Sequence, residues 1–446
     1  MTFTQSLPEI RLPPPGPRSR ALAARLAAVE SPAVDARREE RERTSGHEQA
    51  PIVYERGEGP NVIDVDGNRY VDLAAGFGAL LLGHVPPGIV EALAAQGRRM
   101  WLALGDVYPA EAKVRLCERL VQMLPEPGAR VMLGASGADA VTAALKTAVL
   151  ATGRAGVLAF EGGYHGLSHG PLAACGLRAS FREPFAGQLG SHVTFAPYPD
   201  GSDATSLDVA LGAVRRALAK GHVGAVLVEP ILGRGGCVVP PAGFLPALRE
   251  ACDAAGALLV CDEIWTGLGR SGAMLASAAA GVAADVVCLG KGLGGGLPIS
   301  ACIGRESAMA AWGAHGGTTI HTATHFGAPL ACAAALATLA ALADGGLDVR
   351  AREVGVRWAE ALRSALRGCG VVDVRGRGLM IGVELEGGAA RALSVTRHLL
   401  QRGWIVLTGG AAGDVLTLTP PLDIEDELLD RFADVLARVC REARPA

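Results

Sequence analysis

Apolar segments alternate regularly with helical patterns over residues 88–340, and this alternation constrains the fold more than any other feature of the chain. The apolar segments are short and mostly continuous, which is typical of strands that are buried on both faces. The sequence therefore predicts an α/β fold, in which helices cover both faces of a mainly parallel sheet. The predicted strands are 130–133, 156–160, 192–196, 224–229, 257–262, 285–289 and 299–303, and the predicted helices between them include 111–124, 137–151, 205–220 and 243–255.

The remaining parts of the chain have other patterns. Residues 61–73 alternate on both sides of an Asp-Gly-Asn turn, which predicts a β-hairpin. Residues 1–50 combine a Pro-rich stretch with a charged run, which predicts an extended arm plus one short helix, partly disordered. Helices and strands mix after residue 345. We therefore expect an N-terminal arm (1–50), a segment belonging to a small α+β domain (51–87), a large domain (88–344) and the C-terminal part of the small domain (345–446).

Composition excludes several classes of partner. The formal net charge is −3 and the pI is near 6.4, so no basic excess indicates nucleic acid or an anionic membrane surface. The most apolar run, 331–343, is shorter than the about 20 residues that a membrane-spanning helix needs. The ten cysteines form no C-x-x-C pair and lie in or beside apolar segments. They predict reduced core thiols in a cytoplasmic protein and no metal site.

Two charged residues stand at the ends of predicted buried strands. Asp262 ends one strand, and Lys291 follows another in a glycine-rich turn. Buried charges need partners, so a plain Asp–Lys salt bridge is the alternative to a ligand site. Such a pair can also hold the two ends of pyridoxal 5'-phosphate (PLP). The lysine would form a Schiff base with the aldehyde, and the carboxylate would keep the pyridine nitrogen protonated. Because further loops carry suitable residues, we favour the cofactor.

Three of those loops follow other predicted strands, where ligands of open α/β sheets bind. Ser136 opens a helix after small residues, as in a phosphate site, although an ordinary Ser N-cap explains it equally well. Tyr164 lies between glycines, where it can stack on a planar cofactor or simply pack. Glu229 ends a strand as a carboxylate near the site or as a structural hydrogen-bonding group.

Taken in order, these motifs resemble those of the class III aminotransferases, over roughly residues 50 to 440. The motifs are Ser-Gly-Ala at 136–138, Gly-Tyr-His-Gly at 163–166, Glu-Pro-x-x-Gly at 229–233, Asp-Glu-Ile-x-Thr-Gly-x-Gly-Arg-x-Gly at 262–272 and Gly-Lys-Gly-x-Gly-Gly-Gly at 290–296. The resemblance implies a PLP enzyme of fold type I, with a large domain and a smaller α+β domain. It also implies a homodimer whose active site lies at the subunit interface.

The resemblance implies a role for each matched residue. Lys291 would bind the cofactor covalently and Asp262 would pair with its ring nitrogen. The other implied cofactor contacts are Ile264 and Tyr164 on the two ring faces, Ser136, Gly137 and Ala138 at the phosphate, His165 and Glu229 in their motifs, and Thr324 at the phosphate of the partner subunit. Phe77 matches a substrate-pocket position.

Three positions depart from the family pattern. Trp265 stands where many members carry Gln beside the phenolic oxygen of the cofactor. Arg234 stands where many transaminating members carry Glu, and Thr417 where they carry the arginine that binds the substrate carboxylate. In the Glu–Arg pair of the family, the positive charge therefore stands at the glutamate position of this chain instead of the arginine position. The substrate specificity of ordinary members thus does not transfer to this chain. Arg234 either anchors a substrate carboxylate or points to solvent in an enzyme for amines without a carboxylate.

The motifs predict the cofactor better than the reaction. The commonest activity of the family is amino transfer between an amino donor and a carbonyl acceptor, and we predict that activity. An isomerase, either an aminomutase or an amino-acid racemase, is the alternative, because it would not need the missing Glu–Arg pair. A non-catalytic PLP-binding protein is disfavoured by the intact Lys291 and Asp262.

Overall fold

The computed structural model describes residues 4–201, 205–314 and 317–443, and the chain divides into two compact units. The small unit comprises Met1–Pro86 and Arg350–Ala446, and the large unit comprises Pro87–Val349. The functional division into an arm and two domains stays a prediction.

A seven-stranded sheet forms the centre of the large unit. All seven predicted strands are present, and the sheet is mainly parallel, as predicted. Ser300–Gly304 is the exception, because it pairs antiparallel with both of its neighbours. The short connection from Leu289 to Ser300 explains this, since a parallel crossover takes a dozen or more residues. Across the sheet the strands are Arg130–Gly134, Ser300–Gly304, Val286–Leu289, Leu258–Asp262, Val223–Val228, Gly156–Phe160 and Val193–Ala196.

Helices of the large unit pack on this sheet. Gly137–Thr152 lies closest, because alanines such as Ala140, Ala144 and Ala148 let its backbone approach the buried strand residues. Its N-terminus therefore lies at the carboxyl edge of the parallel strands. The α-helices are Pro87–Gly97, Glu111–Val121, Gly137–Thr152, His169–Ala173, Ser206–Leu218, Phe244–Ala255, Ala276–Ala279, Glu306–Met309 and Pro329–Asp344, and Ala179–Phe181, Glu183–Phe185, Lys291–Gly294 and Ala310–Ala314 are 3-10 turns.

The small unit contains two four-stranded sheets. The first confirms the predicted hairpin, in which Asn61–Asp64 pairs antiparallel with Arg69–Asp72. The first sheet consists of Tyr54–Glu58, Asn61–Asp64, Arg69–Asp72 and Trp404–Ile405, and the second of Val371–Arg377, Met380–Leu385, Val415–Leu418 and Leu407–Gly409. The helices are Pro17–Ala27, Pro32–Ser45, Ala75–Gly78, Gly388–Gln401 and Asp426–Glu442, together with Leu347–Ala365 from Arg350 onwards.

The N-terminal arm contains more helix than predicted. It has two helices, Pro17–Ala27 and Pro32–Ser45, where the sequence predicted a single short one. The Asp66 carboxylate accepts hydrogen bonds from the backbone N–H groups of Arg18 and Ser19, each at 2.8 Å, and so caps the first helix. The single-helix prediction was wrong because the cap lies in the hairpin turn, remote in sequence. The predicted partial disorder stays a prediction.

The ten cysteines are free and nine of them are buried, as predicted for core thiols. Within the described ranges, no single helix is long and apolar enough to cross a membrane. One bent pair, Pro329–Asp344 with Leu347–Ala365, reaches that limit jointly by length and composition.

Candidate active site

The loops at the carboxyl ends of the parallel strands surround a cavity of about 210 Å³ in the large unit. Each strand ends where its buried apolar run gives way to a polar or glycine-rich loop, so the chemically active side chains converge at one edge of the sheet. The cavity is lined by Gly137, Ala138, Tyr164, His165, Gly166, Glu229, Arg234, Asp262, Ile264, Trp265 and Lys291.

Asp262 is held rigidly at the end of its strand. The side chain is 3% exposed, and its Oδ2 lies 2.8 Å from His165 Nδ1. Its Oδ1 accepts a hydrogen bond from the Ile264 N–H at 3.1 Å. Burial alone would lower the pKa of His165, but the hydrogen bond to Asp262 and the charge of Asp262 raise that pKa above its ordinary value. The pair therefore places a fixed carboxylate, backed by an imidazole, in the cavity.

Glu229 joins two of the loops. Its Oε1 accepts a hydrogen bond from the Tyr164 N–H at 2.7 Å, and its Oε2 accepts one from the Gly233 N–H at 2.9 Å. Burial raises the pKa of Glu229 to about 7, a shift that the charge of His165 opposes and the charge of Asp262 reinforces. Glu229 lines the cavity, but its two oxygens act as a structural clamp between loops, which was the alternative left open by the sequence.

Lys291 enters the cavity from a strained turn. Its φ is +27°, outside the favoured regions for a residue with a side chain. Burial lowers the pKa of Lys291, the charges of Asp262 and Glu229 oppose this shift, and the charge of Arg234 adds to it. Nζ lies 4.5 Å from the centroid of the Trp265 ring. Among the residues with described positions, Nζ has no hydrogen bond or ion pair, so the predicted alternative of an Asp–Lys salt bridge is not formed.

Ile264 packs against two glycines where the helix and the lysine turn approach each other. A Cβ on Gly137 would lie 2.8 Å from Ile264 Cδ1, and one on Gly290 would lie 3.2 Å from Ile264 Cγ2. Glycine at these positions lets the backbone of both loops reach the cavity. The Ile264 side chain is thus fixed as an apolar surface of the cavity beside the start of the helix.

Arg234 stacks on an aromatic side chain in the cavity wall. Its Cζ lies 4.5 Å from the centroid of the Tyr164 ring and 6.0 Å from that of Phe181. No hydrogen bond or ion pair joins Arg234 to any residue of known placement. The guanidinium therefore keeps its donors available at the cavity, rather than pointing away from it into solvent.

Trp265 is fixed beside Lys291 by a close contact with a glycine. A Cβ on Gly233 would lie 2.4 Å from Trp265 Cε3, so only glycine leaves room for the indole. The side chain is 8% exposed. Its Nε1 is buried and has no hydrogen-bond partner within the described parts of the chain.

Four residues predicted for the site lie outside this cavity. Ser136 is exposed and caps its helix, because its Oγ accepts from the Asp139 N–H at 3.3 Å and donates to Asp139 Oδ2 at 2.9 Å. This is the ordinary N-cap alternative. Thr324 lines a second cavity of about 560 Å³ in the same unit. Phe77, which is 65% exposed, and Thr417, which is buried, belong to the small unit.

Sequence reasoning missed one cavity residue and one contact. Gly166 lines the cavity. A Cβ at this position would lie 2.9 Å from the Cβ of Ala138, so glycine is needed for this close approach. The glycine flanking the Tyr-His pair was the available signal. The hydrogen bond between His165 and Asp262 had no signal, because the strands Gly156–Phe160 and Leu258–Asp262 are far apart in sequence and are separated in the sheet by Val223–Val228.

The cavity residues fit PLP. The helix Gly137–Thr152 begins with two small residues, whose N–H groups have no partner within the helix and face an anion favourably. Lys291 Nζ has no hydrogen bond or ion pair to any described residue, and Asp262 offers a fixed carboxylate. Ile264 and Tyr164 supply an apolar and an aromatic surface for a planar ring. A carboxylate, an amine, an anion site and two surfaces for a planar ring thus line one cavity.

Comparison with known proteins gives consistent matches along the whole chain. The family model described as aminotransferase class-III matches residues 43–440. Acetylornithine aminotransferase of Mycobacterium tuberculosis (strain H37Rv) is 39% identical over 399 residues, which cover 88% of this chain and 92% of that protein. The 4-aminobutyrate aminotransferase of Mycobacterium tuberculosis (strain CDC 1551) is 35% identical over 452 residues, covering 95% and 96%. The structure of an amine transaminase from an uncultivated Pseudomonas species, in the PLP-bound form, matches with a TM-score of 0.81 and 30% identity, covering 88% of this chain and 94% of that one.

Proposed function

Because the chain belongs to the class III aminotransferase family, we propose that Lys291 and Asp262 carry its chemistry and that Arg234 selects its substrate. The protein is a PLP-dependent aminotransferase of the fold type I class, as the sequence predicted. The matched relatives are named aminotransferases, which favours amino transfer over the isomerase alternative. The observation that carries the residue assignment is that Lys291 lines the same cavity as Asp262 while its Nζ bonds to none of the described residues.

Lys291 acts as anchor and base. PLP supplies an aldehyde that bonds reversibly to amines and a ring that withdraws electrons from the carbon next to the amine nitrogen. Lys291 Nζ would hold the cofactor covalently and, when free, would remove the proton from the substrate Cα. Burial lowers the pKa of Lys291, which increases the share of neutral amine available for both tasks. The strained turn fixes the position from which Nζ acts.

Asp262 keeps the ring nitrogen protonated. Its carboxylate accepts hydrogen bonds from the Ile264 N–H and pairs with His165, so it cannot rotate away from its ligand. A fixed negative charge at this point stabilises the proton on the ring nitrogen. Gly137 and Ala138 would hold the phosphate at the helix N-terminus, while Ile264 and Tyr164 would enclose the ring.

Arg234 binds the substrate carboxylate. It lines the cavity, stacks on Tyr164 and presents a planar fork that matches a carboxylate in two hydrogen bonds. Thr417 carries no charge and does not replace the arginine of ordinary members. Amino acids with a free carboxylate are therefore the proposed amino donors, in agreement with relatives named for acetylornithine and 4-aminobutyrate.

The working enzyme is a homodimer in the cytoplasm, with sites completed by the partner subunit. Thr324 lines a cavity different from that of Lys291, as expected for a residue that serves the other subunit. Residues 102–107 also line this second cavity. They belong to an exposed apolar segment, residues 100–108, whose large apolar side chains are Met100, Trp101, Leu102, Leu104, Val107 and Tyr108. The buried, free thiols support a reducing compartment.

Two measurements on the purified protein test these assignments. Borohydride reduction with PLP should leave a pyridoxyl group on Lys291, located by mass spectrometry of the digested protein. Addition of an amino-acid donor should convert the bound cofactor to its pyridoxamine form and release a keto acid. A pyridoxyl group on another lysine would refute the role of Lys291. Racemisation of the donor without release of keto acid would instead support the isomerase.

A further inference from the structure

We propose that Trp265 is a positioning residue whose indole face holds the Lys291 ammonium group in the active-site cavity. The inference deepens the proposed function, because it assumes that Lys291 is the reacting lysine. It assigns a task to a residue at which this chain departs from the glutamine of many family members.

The contact between the two side chains is a cation–π interaction. Lys291 Nζ lies 4.5 Å from the Trp265 ring centroid, within the about 6 Å over which such attraction acts. Tryptophan presents the most electron-rich face of the aromatic side chains. In the portion of the chain with described positions, Nζ has no hydrogen-bond or ion-pair partner, and the indole ring lies beside it. The indole therefore holds the amine in place without a hydrogen bond or ion pair that would have to break before the amine reacts.

The buried indole nitrogen supports this role for the ring face. Trp265 is 8% exposed, and its Nε1 donor finds no acceptor among the described residues. Burying an unpaired N–H costs free energy that a phenylalanine at this position would not incur. The ring face, by contrast, has a partner within the protein, the amine of Lys291. Gly233 contributes by leaving the space that the benzene edge of the indole occupies.

The electrostatic consequence is a higher pKa of Lys291 than burial alone would give. The groups that face Lys291 are Asp262 and Glu229, which raise its pKa, and Arg234, which lowers it. His165 acts on it indirectly through its bond to Asp262. The indole adds a neutral surface that favours the charged amine, so Trp265 adjusts the balance between a held ammonium group and a reactive amine.

Fluorination of one tryptophan tests the contact without changing its shape. The full-length protein is freed of cofactor, and 5,7-difluorotryptophan is introduced at position 265 alone. Fluorine withdraws electron density from the ring face and leaves the Nε1–H in place. The pKa of Lys291 is then measured from the pH dependence of its acetylation by acetic anhydride, relative to a free amine. We expect the pKa of Lys291 to fall by about half a unit, the scale of a weakened cation–π contact.

Two further proteins complete the experiment. Difluorotryptophan at position 312 is the matched control, because Trp312 belongs to the same unit and its Nε1 already donates to Thr147 at 2.9 Å. Only the protein fluorinated at 265 should show the shift. W265F, which keeps a weaker ring face and removes the N–H, should also lower the pKa of Lys291. An unchanged or raised pKa in the protein fluorinated at 265 overturns the inference.

Failure of this inference differs from failure of the proposed function. Borohydride labelling of the unsubstituted protein reports on Lys291 as the PLP lysine, whatever its contact with Trp265. If PLP labels Lys291 and fluorination leaves its pKa unchanged, only the role of Trp265 is wrong. If PLP does not label Lys291, the proposed function itself is wrong.

Discussion

The lysine and the arginine of the cavity, Lys291 and Arg234, contact aromatic rings and form no ion pair with a carboxylate among the described residues. Lys291 lies on Trp265 and Arg234 lies on Tyr164, each at 4.5 Å from the ring centroid. A carboxylate partner would neutralise each charge and would have to be displaced by a ligand. An aromatic face holds the cation and leaves its hydrogen-bond donors available. This arrangement suits a site in which both cations must exchange partners during turnover.

Replacement of Arg234 tests the substrate proposal. R234Q should raise the KM for amino-acid donors at least tenfold, about 1.4 kcal/mol, because one charge-assisted contact to the carboxylate is lost. Steady-state kinetics with an amino acid and with the matching amine that lacks the carboxylate measure the effect. The amine should react equally well with both proteins.

Arg182 provides the matched control for this substitution. It also stacks on an aromatic ring, at 4.3 Å from the Phe195 centroid, but does not line the cavity. R182Q should therefore leave the KM for amino-acid donors unchanged. If R234Q also leaves that KM unchanged, the substrate carboxylate is bound elsewhere.

At the scale of elements, the sequence predicted the position of the site because strand ends can be recognised from composition. Apolar runs that stop at Asp262 and before Lys291 indicated both the strands and the edge at which they meet. The direction of Ser300–Gly304 was not predicted, because periodicity does not depend on strand direction. The Ser136 hydroxyl and the Glu229 carboxylate could not be placed either. Each group can form a hydrogen bond with any of several nearby backbone and side-chain partners. Which bond forms depends on loop conformations that the sequence does not reveal.

The approach of the helix to the lysine turn depends on Gly137. In G137A the new methyl group would lie 2.8 Å from Ile264 Cδ1, so the helix start or Ile264 must move. We expect a loss of roughly 1–3 kcal/mol in the free energy of unfolding and weaker PLP binding. Chemical denaturation and PLP titration measure the two effects. In an I264A background, the added G137A change should cost less of both than it does in the unsubstituted protein, because the clashing atom is already absent.

A second glycine of the same unit serves as the control for that change. The nearest atom to a Cβ on Gly170 is Thr142 Oγ1 at 3.8 Å, which is ordinary contact. G170A should therefore bind PLP as the unsubstituted protein does. Equal PLP affinity of G137A and G170A would contradict the role given to Gly137.

The Glu229 clamp should make stability depend on pH. Burial raises the pKa of Glu229 to about 7 in the folded protein, above its ordinary value of 4.5. Between these values the folded state binds the proton more strongly than the unfolded state does. The contribution of Glu229 to stability is therefore fully present below pH 4.5 and is lost as the pH rises towards 7.

Comparison with E229Q isolates this contribution. The amide cannot ionise, so the free energy of unfolding of the unsubstituted protein should fall relative to E229Q between pH 4.5 and 7, by a few kcal/mol. E229Q should also lose a pH-independent amount, because its amide nitrogen cannot accept from a backbone N–H. Urea unfolding of both proteins at pH 5 and pH 7.5 provides the measurement. A difference that does not vary with pH would show that Glu229 is ionised throughout.

At the scale of the whole molecule, the exposed apolar segment of the large unit needs a covering surface. Its large apolar side chains are 43% to 72% exposed and are clustered in one short segment rather than scattered singly, and they adjoin the cavity that Thr324 lines. A second copy of the chain is the proposed cover, since it would bury this segment and bring Thr324 to a neighbouring active site. The exposed side chains are Met100, Trp101, Leu102, Leu104, Val107 and Tyr108.

A charge placed in this segment should separate the subunits and empty the active sites. W101E buries a carboxylate in the proposed interface, so sedimentation should show monomers, and PLP should bind at least tenfold more weakly. V209E is the control, because Val209 is a similarly exposed apolar residue on the helix Ser206–Leu218, and this variant should remain dimeric. T324A should keep the dimer and weaken PLP binding by roughly 1–3 kcal/mol, the value of a hydrogen bond to a charged group. Monomeric W101E that binds PLP with unchanged affinity would show that each subunit completes its own site, and Thr324 would then have no role across the interface.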